Sequence, residues 1–298
     1  MSGDEDKPPL VKRRSIIGIA GFLAGGATGF IGSVLTGSAS GYGSDVAKAL
    51  HPPEEIADRA SSEEPITANI ILERSLVTQG ELWIYPGRLS QDPRALRAVT
   101  TTYDNYDQLH QGLYKSGLFD AGVSNFKLIV EGNRNVPVQI IGMRAVFNHR
   151  LERSTGHTAL SPGPQGTGPL VQIGFDLDES DPLARAVNQE EGATIHVDGY
   201  FKQPFFSSSV TELKRGERQV YQVQARTIKW DLDWTVELEV VDGAGLSRRI
   251  PAKQNIRTIG ILYDKESGPT SPDPAQYSEF YEFGLFAGVQ ELTFVRQK

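Results

Sequence analysis

Two aspartates in the stretch KWDLDWTVELEVVDG (Lys229–Gly243) stand two residues apart, Asp231 and Asp233. On a strand that spacing puts both carboxylates on one face. Paired carboxylates are what glycoside hydrolysis needs, one to protonate the leaving oxygen and one to act as nucleophile or base. A pair on a regular exposed strand instead stays in water as a solvated face, and that is the expectation here. Trp230 and Trp234, with Tyr221 nearby in sequence, would form an aromatic platform for a sugar if they were exposed. The alternation of the strand assigns them to the core.

A second acidic cluster, DLDESD (Asp176–Asp181), puts Asp176, Asp178, Ser180 and Asp181 at the end of a candidate strand. Oxygen ligands at alternate positions match the first half of a calcium loop. Such a loop needs glycine at its sixth position and a bidentate glutamate at its twelfth, where this sequence has Asp181 and Val187. Asp176, Asp178 and Asp181 are therefore the candidate metal ligands. The plainer expectation is a solvated strand end, with Ser180 or Asp181 capping a short helix through Leu183–Val187. The histidines are His51, His110, His149, His157 and His196, and no two have the i, i+4 spacing of a helical metal pair. His149 and His157 flank a Gly/Pro-rich segment and read as exposed loop residues rather than as a metal or acid–base site.

Other chemistry is excluded by residue type. The chain has no cysteine, so disulfides, thiolate catalysis, iron–sulfur clusters, zinc–thiolate sites and lipid attachment at a lipobox cysteine are ruled out. No Gly-x-Ser-x-Gly elbow, Walker loop or dinucleotide fingerprint occurs. No cofactor is expected. The net charge of −7 argues against a nucleic-acid binder, which needs a basic face to replace phosphate counterions.

The location of the protein is written near its start, in KRRSIIGIAGFLAGGATGFIGSVLTG (Lys12–Gly37). Ser15 to Gly37 carries no charge and would be roughly 34 Å long as a helix, against a hydrocarbon core of roughly 30 Å. Its nine Ile, Leu, Val and Phe residues favour insertion by roughly 3–5 kcal/mol, diluted by seven glycines. Lys12, Arg13 and Arg14 precede it, and the first charges after it are Asp45 and Lys48. Cations stay cytoplasmic, which puts the N-terminus inside and the body outside. Arg13-Arg14-Ser15-Ile16-Ile17 also resembles a twin-arginine export signal, which implies export of an already folded body and cleavage after Ala39 in GSAS. A retained anchor is the preferred reading over a cleaved signal or a buried glycine-rich soluble helix. Gly21, Gly25, Gly29 and Ser33 form a small-residue stripe that would let two spans approach closely, as a homodimer or against a partner's span.

These readings divide the chain into a cytoplasmic tail (1–14), a transmembrane helix (15–37), a linker or stalk (38–64) and an extracytoplasmic domain (65–298). In the last of these, Trp230, Leu232, Trp234, Val236, Leu238 and Val240 alternate with Asp231, Asp233, Thr235, Glu237 and Glu239, as on a strand with one buried face. VYQVQART, NFKLIVEG, VQIIGMRAVF, LVQIGFDLD, ATIHVDGYF, RTIGILYD, ANIILE and ELWIY read as further strands. Leu96 and Val99, then Tyr106, Leu109 and Leu113, have helical spacing, and Gly117 is a stop. Ser154–Pro169 and Lys265–Ala275 read as long loops. The fold expected is mainly β: an antiparallel β-sandwich of immunoglobulin-like type with one or two short helices. The function expected is display of a non-enzymatic binding module that meets an envelope protein or cell-wall polymer at a membrane. The alternatives are an exported polysaccharide-active hydrolase and a subunit of a larger membrane complex.

Overall fold

The computed structural model describes residues 53–72, 82–101, 106–153, 156–162, 172–188, 190, 195, 199–243, 245–261, 273–286 and 289–294. The chain divides into two units, Met1–Ala47 and Lys48–Lys298, and every described residue belongs to the second. Lys12, Arg13, Arg14 and the stripe Gly21, Gly25, Gly29, Ser33 lie outside the described residues, as does the whole of the expected span. Among the described residues no helix is long and apolar enough to cross a membrane.

The body is mainly β and is built on two sheets. The first has six strands: β1 (Ile66–Ile71), β4 (Val123–Gly132), β11 (Arg218–Arg226), β7 (Ile173–Asp176), β8 (Arg185–Val187) and β9 (Phe201–Pro204), in that spatial order. The second has ten. Its path runs β10 (Thr211–Leu213), β5 (Val138–Glu152), β12 (Trp230–Val241), β14 (Ile256–Ile259), β3 (Phe119–Ala121), β2 (Leu82–Tyr85), β6 (Thr158–Pro162), β15 (Glu279–Phe286) and β16 (Val289–Phe294), with β13 (Ser247–Pro251) paired to β12. The sheets are mixed rather than purely antiparallel, which corrects the expectation. β11 runs parallel to β7, β14 to β3, and β15 to β6. Each parallel pair joins strands that are distant in sequence, and alternation within one strand carries no information about the direction of its neighbour.

The sandwich core lies between β1, β4, β11 and β7 on one side and β5, β12, β13 and β14 on the other. The alternation of β12 places Leu232, Trp234, Val236, Leu238 and Val240 in it, all fully buried. At its centre the Trp234 ring meets Phe126 and Phe175 edge-on, with centroids 5.8 and 6.1 Å away. Edge-to-face contact sets the positive ring edge against the negative face of its neighbour. The open side of edge strand β1 is closed by the chain after β13. Lys253 N donates to Ala68 O at 3.0 Å, and Ile70 N donates to Gln254 Oε1 at 2.8 Å. Those bonds use edge groups that would otherwise invite another strand.

Beyond the sandwich the ten-stranded sheet continues alone, and two helices cover one face of it. Asp92 caps α2 (Pro93–Thr100) by accepting from Arg94 N and Ala95 N at 2.9 and 3.1 Å, with Pro93 in the first turn where its missing N–H costs nothing. α3 (Tyr106–Lys115) is followed by Gly117 at φ +87°, the left-handed conformation a glycine supplies after a helix. Ala95, Val99 and Leu113 pack with Trp83, Leu89, Leu118, Leu160 and Tyr281. The opposite face buries Leu82, Ile84, Ala121, Ala159, Ile259 and Phe280.

A third helix, α1 (Pro53–Ala60), lies within the expected stalk. It is fastened to the body by Asp58, whose carboxylate accepts from Asn135 N, Asn135 Nδ2 and Val136 N at 3.1, 3.0 and 2.8 Å. Arg134, buried in the same turn, donates to Ser61 Oγ at 3.1 Å and to the carbonyl of Glu63. The chain from Pro53 onward is thus docked on the β4–β5 turn.

Candidate functional site

Asp231 does not lie on a solvated face. Its side chain is 11% exposed, and its Oδ2 lies 3.5 Å from Nε2 of His157, whose side chain is also 11% exposed. The expectations of a solvated carboxylate and an exposed loop histidine are both corrected. Along the sheet, β12 and β6 are separated by β14, β3 and β2. At about 4.8 Å per strand they would stand roughly 19 Å apart in a flat sheet. The sheet therefore coils back on itself. The connection from Glu152, the end of β5, to Thr158, the start of β6, agrees. It has six Cα steps and reaches at most roughly 20 Å, yet it carries the chain from the neighbour of β12 to the far limb of the coil.

The expected loop Ser154–Pro169 is accordingly not a loop throughout. Thr158–Pro162 is strand β6, paired antiparallel to β2 and parallel to β15. Its alternation is too short to read among so many glycines and prolines. The segment returning from the second expected loop is joined to the same connection. Ser278 N donates to His157 O at 2.9 Å, and Ser278 Oγ donates to His157 O and Gly156 O at 3.0 and 3.1 Å.

Four polar side chains meet where the coil closes: Arg153 from the end of β5, His157 before β6, Asp231 on β12 and Tyr277 before β15. Gly260 N, just past β14, donates to Asp231 Oδ1 at 3.2 Å. Burial lowers the pKa of Arg153, while Tyr277 and Asp231 nearby pull it up. Burial also drives the Tyr277 hydroxyl well above its ordinary value; Arg153 opposes this, and Asp273 and Asp231 add to it. Tyr277 thus stays a neutral donor across the physiological range. Arg153 Nη1, His157 Nε2 and Tyr277 OH are buried with no hydrogen-bond partner among the described residues. Buried polar atoms are nearly always paired, so three in one place mark a site with unmet hydrogen-bonding capacity.

A second polar cluster lies one residue along. Glu279, itself buried, accepts from Ser90 N at 3.0 Å, Thr158 Oγ1 at 3.2 Å, Tyr281 OH at 3.4 Å and Ser90 Oγ. Burial raises its pKa, but the bonds from Ser90, Thr158 and Tyr281 outweigh that and hold the carboxyl below its ordinary value. Each donor is neutral and occupied, so this cluster ties the helical face to the β6–β15 seam.

The acidic cluster of Asp176, Asp178 and Asp181 is not gathered around a common centre. Asp176 pairs with Arg226 at 2.8 Å. Asp178 Oδ1 accepts from Thr227 Oγ1, Ile228 N and Lys229 N at 2.9, 3.2 and 3.2 Å, and so shapes the β11–β12 turn. Asp181 is exposed, 3.9 Å from Arg144. Leu183–Val187 is not a helix, because Arg185–Val187 forms β8. Among the described residues no group of three His, Asp or Glu side chains is placed to hold a metal ion. Asp233 lies apart from Asp231 in environment, accepting from Asn148 Nδ2 at 3.2 Å in an exposed contact. Trp234 is core, and Trp230 is half-buried with the Arg150 guanidinium 4.3 Å from its ring centroid. His51 and His196 lie outside the described residues.

Sequence reading missed Arg153, His157 and Tyr277 as one group because they lie on three segments joined only by the coiling of the sheet. The available signal was the shortness of the 153–157 connection, readable only once β5 and β6 are known. Comparison with protein-family models, with curated proteins and with solved structures gave no match to this chain.

Proposed function

We propose that the chain is a single-span, N-in membrane protein that displays its β body at the outer face of a cytoplasmic membrane and binds an envelope protein or cell-wall polymer there. The membrane part rests on the uncharged stretch Ser15–Gly37 and the cations Lys12, Arg13 and Arg14 before it. Likeness to an immunoglobulin-type sandwich is proposed at the level of architecture, two sheets facing across one core. The observation that carries the binding reading is the convergence of Arg153, His157, Asp231 and Tyr277, with three partnerless buried polar atoms, where the sheet closes.

The test uses a photo-crosslinking residue at Gly156, beside His157. Gly156 is exposed, and a Cβ there would meet nothing within 4 Å. In intact cells it should give a discrete adduct with an envelope component, and the same residue at exposed Val210 should not. Equal labelling from both positions would contradict the reading.

A further inference from the structure

We infer that Arg153, His157 and Tyr277 bind a hydroxyl group of a neutral polyhydroxylated ligand, a glycan. This rests on reading the closure of the coiled sheet as the recognition site. The partnerless atoms there are Arg153 Nη1, His157 Nε2 and Tyr277 OH. The carboxylate among them, Asp231, is already engaged by Gly260 N at 3.2 Å and faces His157 at 3.5 Å. What the cluster lacks is an oxygen that accepts from the guanidinium and the phenol.

Charge selects among such oxygens. Asp231 and Asp273 both act on Tyr277, against the one guanidinium of Arg153. A phosphate or carboxylate ligand would add a third negative charge to a desolvated site, where repulsion is strong. An ammonium would face Arg153. A hydroxyl brings no charge, accepts from Arg153 or Tyr277, and donates its own proton to His157 Nε2 when that nitrogen is unprotonated. Several hydroxyls on one molecule let more than one of the three atoms be satisfied together. A ligand that met these buried groups would be discriminated from its deoxy analogue, because the site leaves them unpaired otherwise.

The experiment uses the full chain in detergent, titrated calorimetrically with two neutral oligosaccharides, chitotriose and cellotetraose, and in parallel with sodium acetate and inorganic phosphate. Co-sedimentation with insoluble cell-wall polymer separates a polymeric source from a free sugar. Saturable binding of a neutral oligosaccharide or of the polymer is expected. Tyr277→Phe should weaken it at least tenfold with no fall in Tm, since the hydroxyl removed has no partner among the described residues, and Arg153→Met should weaken it at least tenfold as well. The inference is overturned by saturable binding of acetate or phosphate alone, by glycan binding indifferent to both variants, or by no glycan binding at all. A Gly156 adduct that persists in any of those cases would leave the binding reading standing without its glycan. Loss of the adduct as well would remove both.

Discussion

His157 and Asp231 are 74 residues apart in sequence and four strands apart along one sheet, yet their side chains approach to 3.5 Å with little of either exposed. That contact shows the ten-stranded sheet to be coiled, and it brings Arg153 and Tyr277 to the same place.

If the contact helps close the coil, His157→Gln and Asp231→Asn should be coupled. A double-mutant cycle on denaturant unfolding is expected to give an interaction of about 0.5–1 kcal/mol or more, as for residues in one polar network. Additive losses would mean that the two side chains merely lie side by side.

Glu279 makes the body sensitive to acid. Its folded pKa is depressed below the ordinary value of 4.5, so its contribution is fully present above that value. It is lost as pH falls through the lower folded value. Glu279→Gln should destabilise the protein at neutral pH by about 1–3 kcal/mol, since it weakens four bonds to a buried group. It should also flatten the stability profile below pH 4.5. Chemical denaturation at a series of pH values checks both, and a variant whose profile runs parallel to the parent's would count against this role.

Asp178 acts as a clamp for the β11–β12 turn. Asp178→Ala removes the acceptor that the Ile228 and Lys229 amides and the Thr227 hydroxyl share, at a cost of about 1–3 kcal/mol. Melting temperatures in calcium and in chelator should coincide, because a ligand that binds the folded state raises Tm. A calcium-dependent rise abolished by Asp178→Ala would restore the metal reading.

Thr258 joins the two halves of the body. It accepts from Trp234 Nε1 at 2.9 Å and lies 2.7 Å from Ser124 Oγ, which donates to Asp120 at 3.1 Å; Tyr114 of α3 donates to the same carboxylate at 2.6 Å. Ser124 has one proton and gives it to Asp120, so Thr258 must be the donor to Ser124. Thr258→Val nearly keeps the volume but leaves the buried Trp234 indole N–H without its acceptor and removes the donor to Ser124 Oγ. A loss of about 1–3 kcal/mol in thermal or denaturant unfolding is expected, and a neutral result would show the relay to be idle.

The elements that local chemistry encodes were legible in the sequence. The buried face of β12 follows from strict alternation, and α2 from the spacing of Leu96 and Val99. The polarity of Asp231 suggested water because alternation reports which side a residue takes and not what covers that side. Here the covering groups arrive from Arg153, His157 and Gly260, through closure of the sheet. The parallel pairings and the place of β6 are likewise products of long-range topology. The C-terminal stretch is the hairpin β15–β16, with Gly284 opposite Glu291 in a regular ladder.

The central proposal is the tether, and one measurement addresses it directly. Cells producing the full chain are fractionated, and intact protoplasts are treated with protease. The protein should remain with the membrane through a carbonate wash, and its body should be digested from outside while a short N-terminal fragment carrying Lys12–Arg14 is protected. Full-length protein recovered from cytosol in detergent-free buffer, and resistant to external protease, would contradict it.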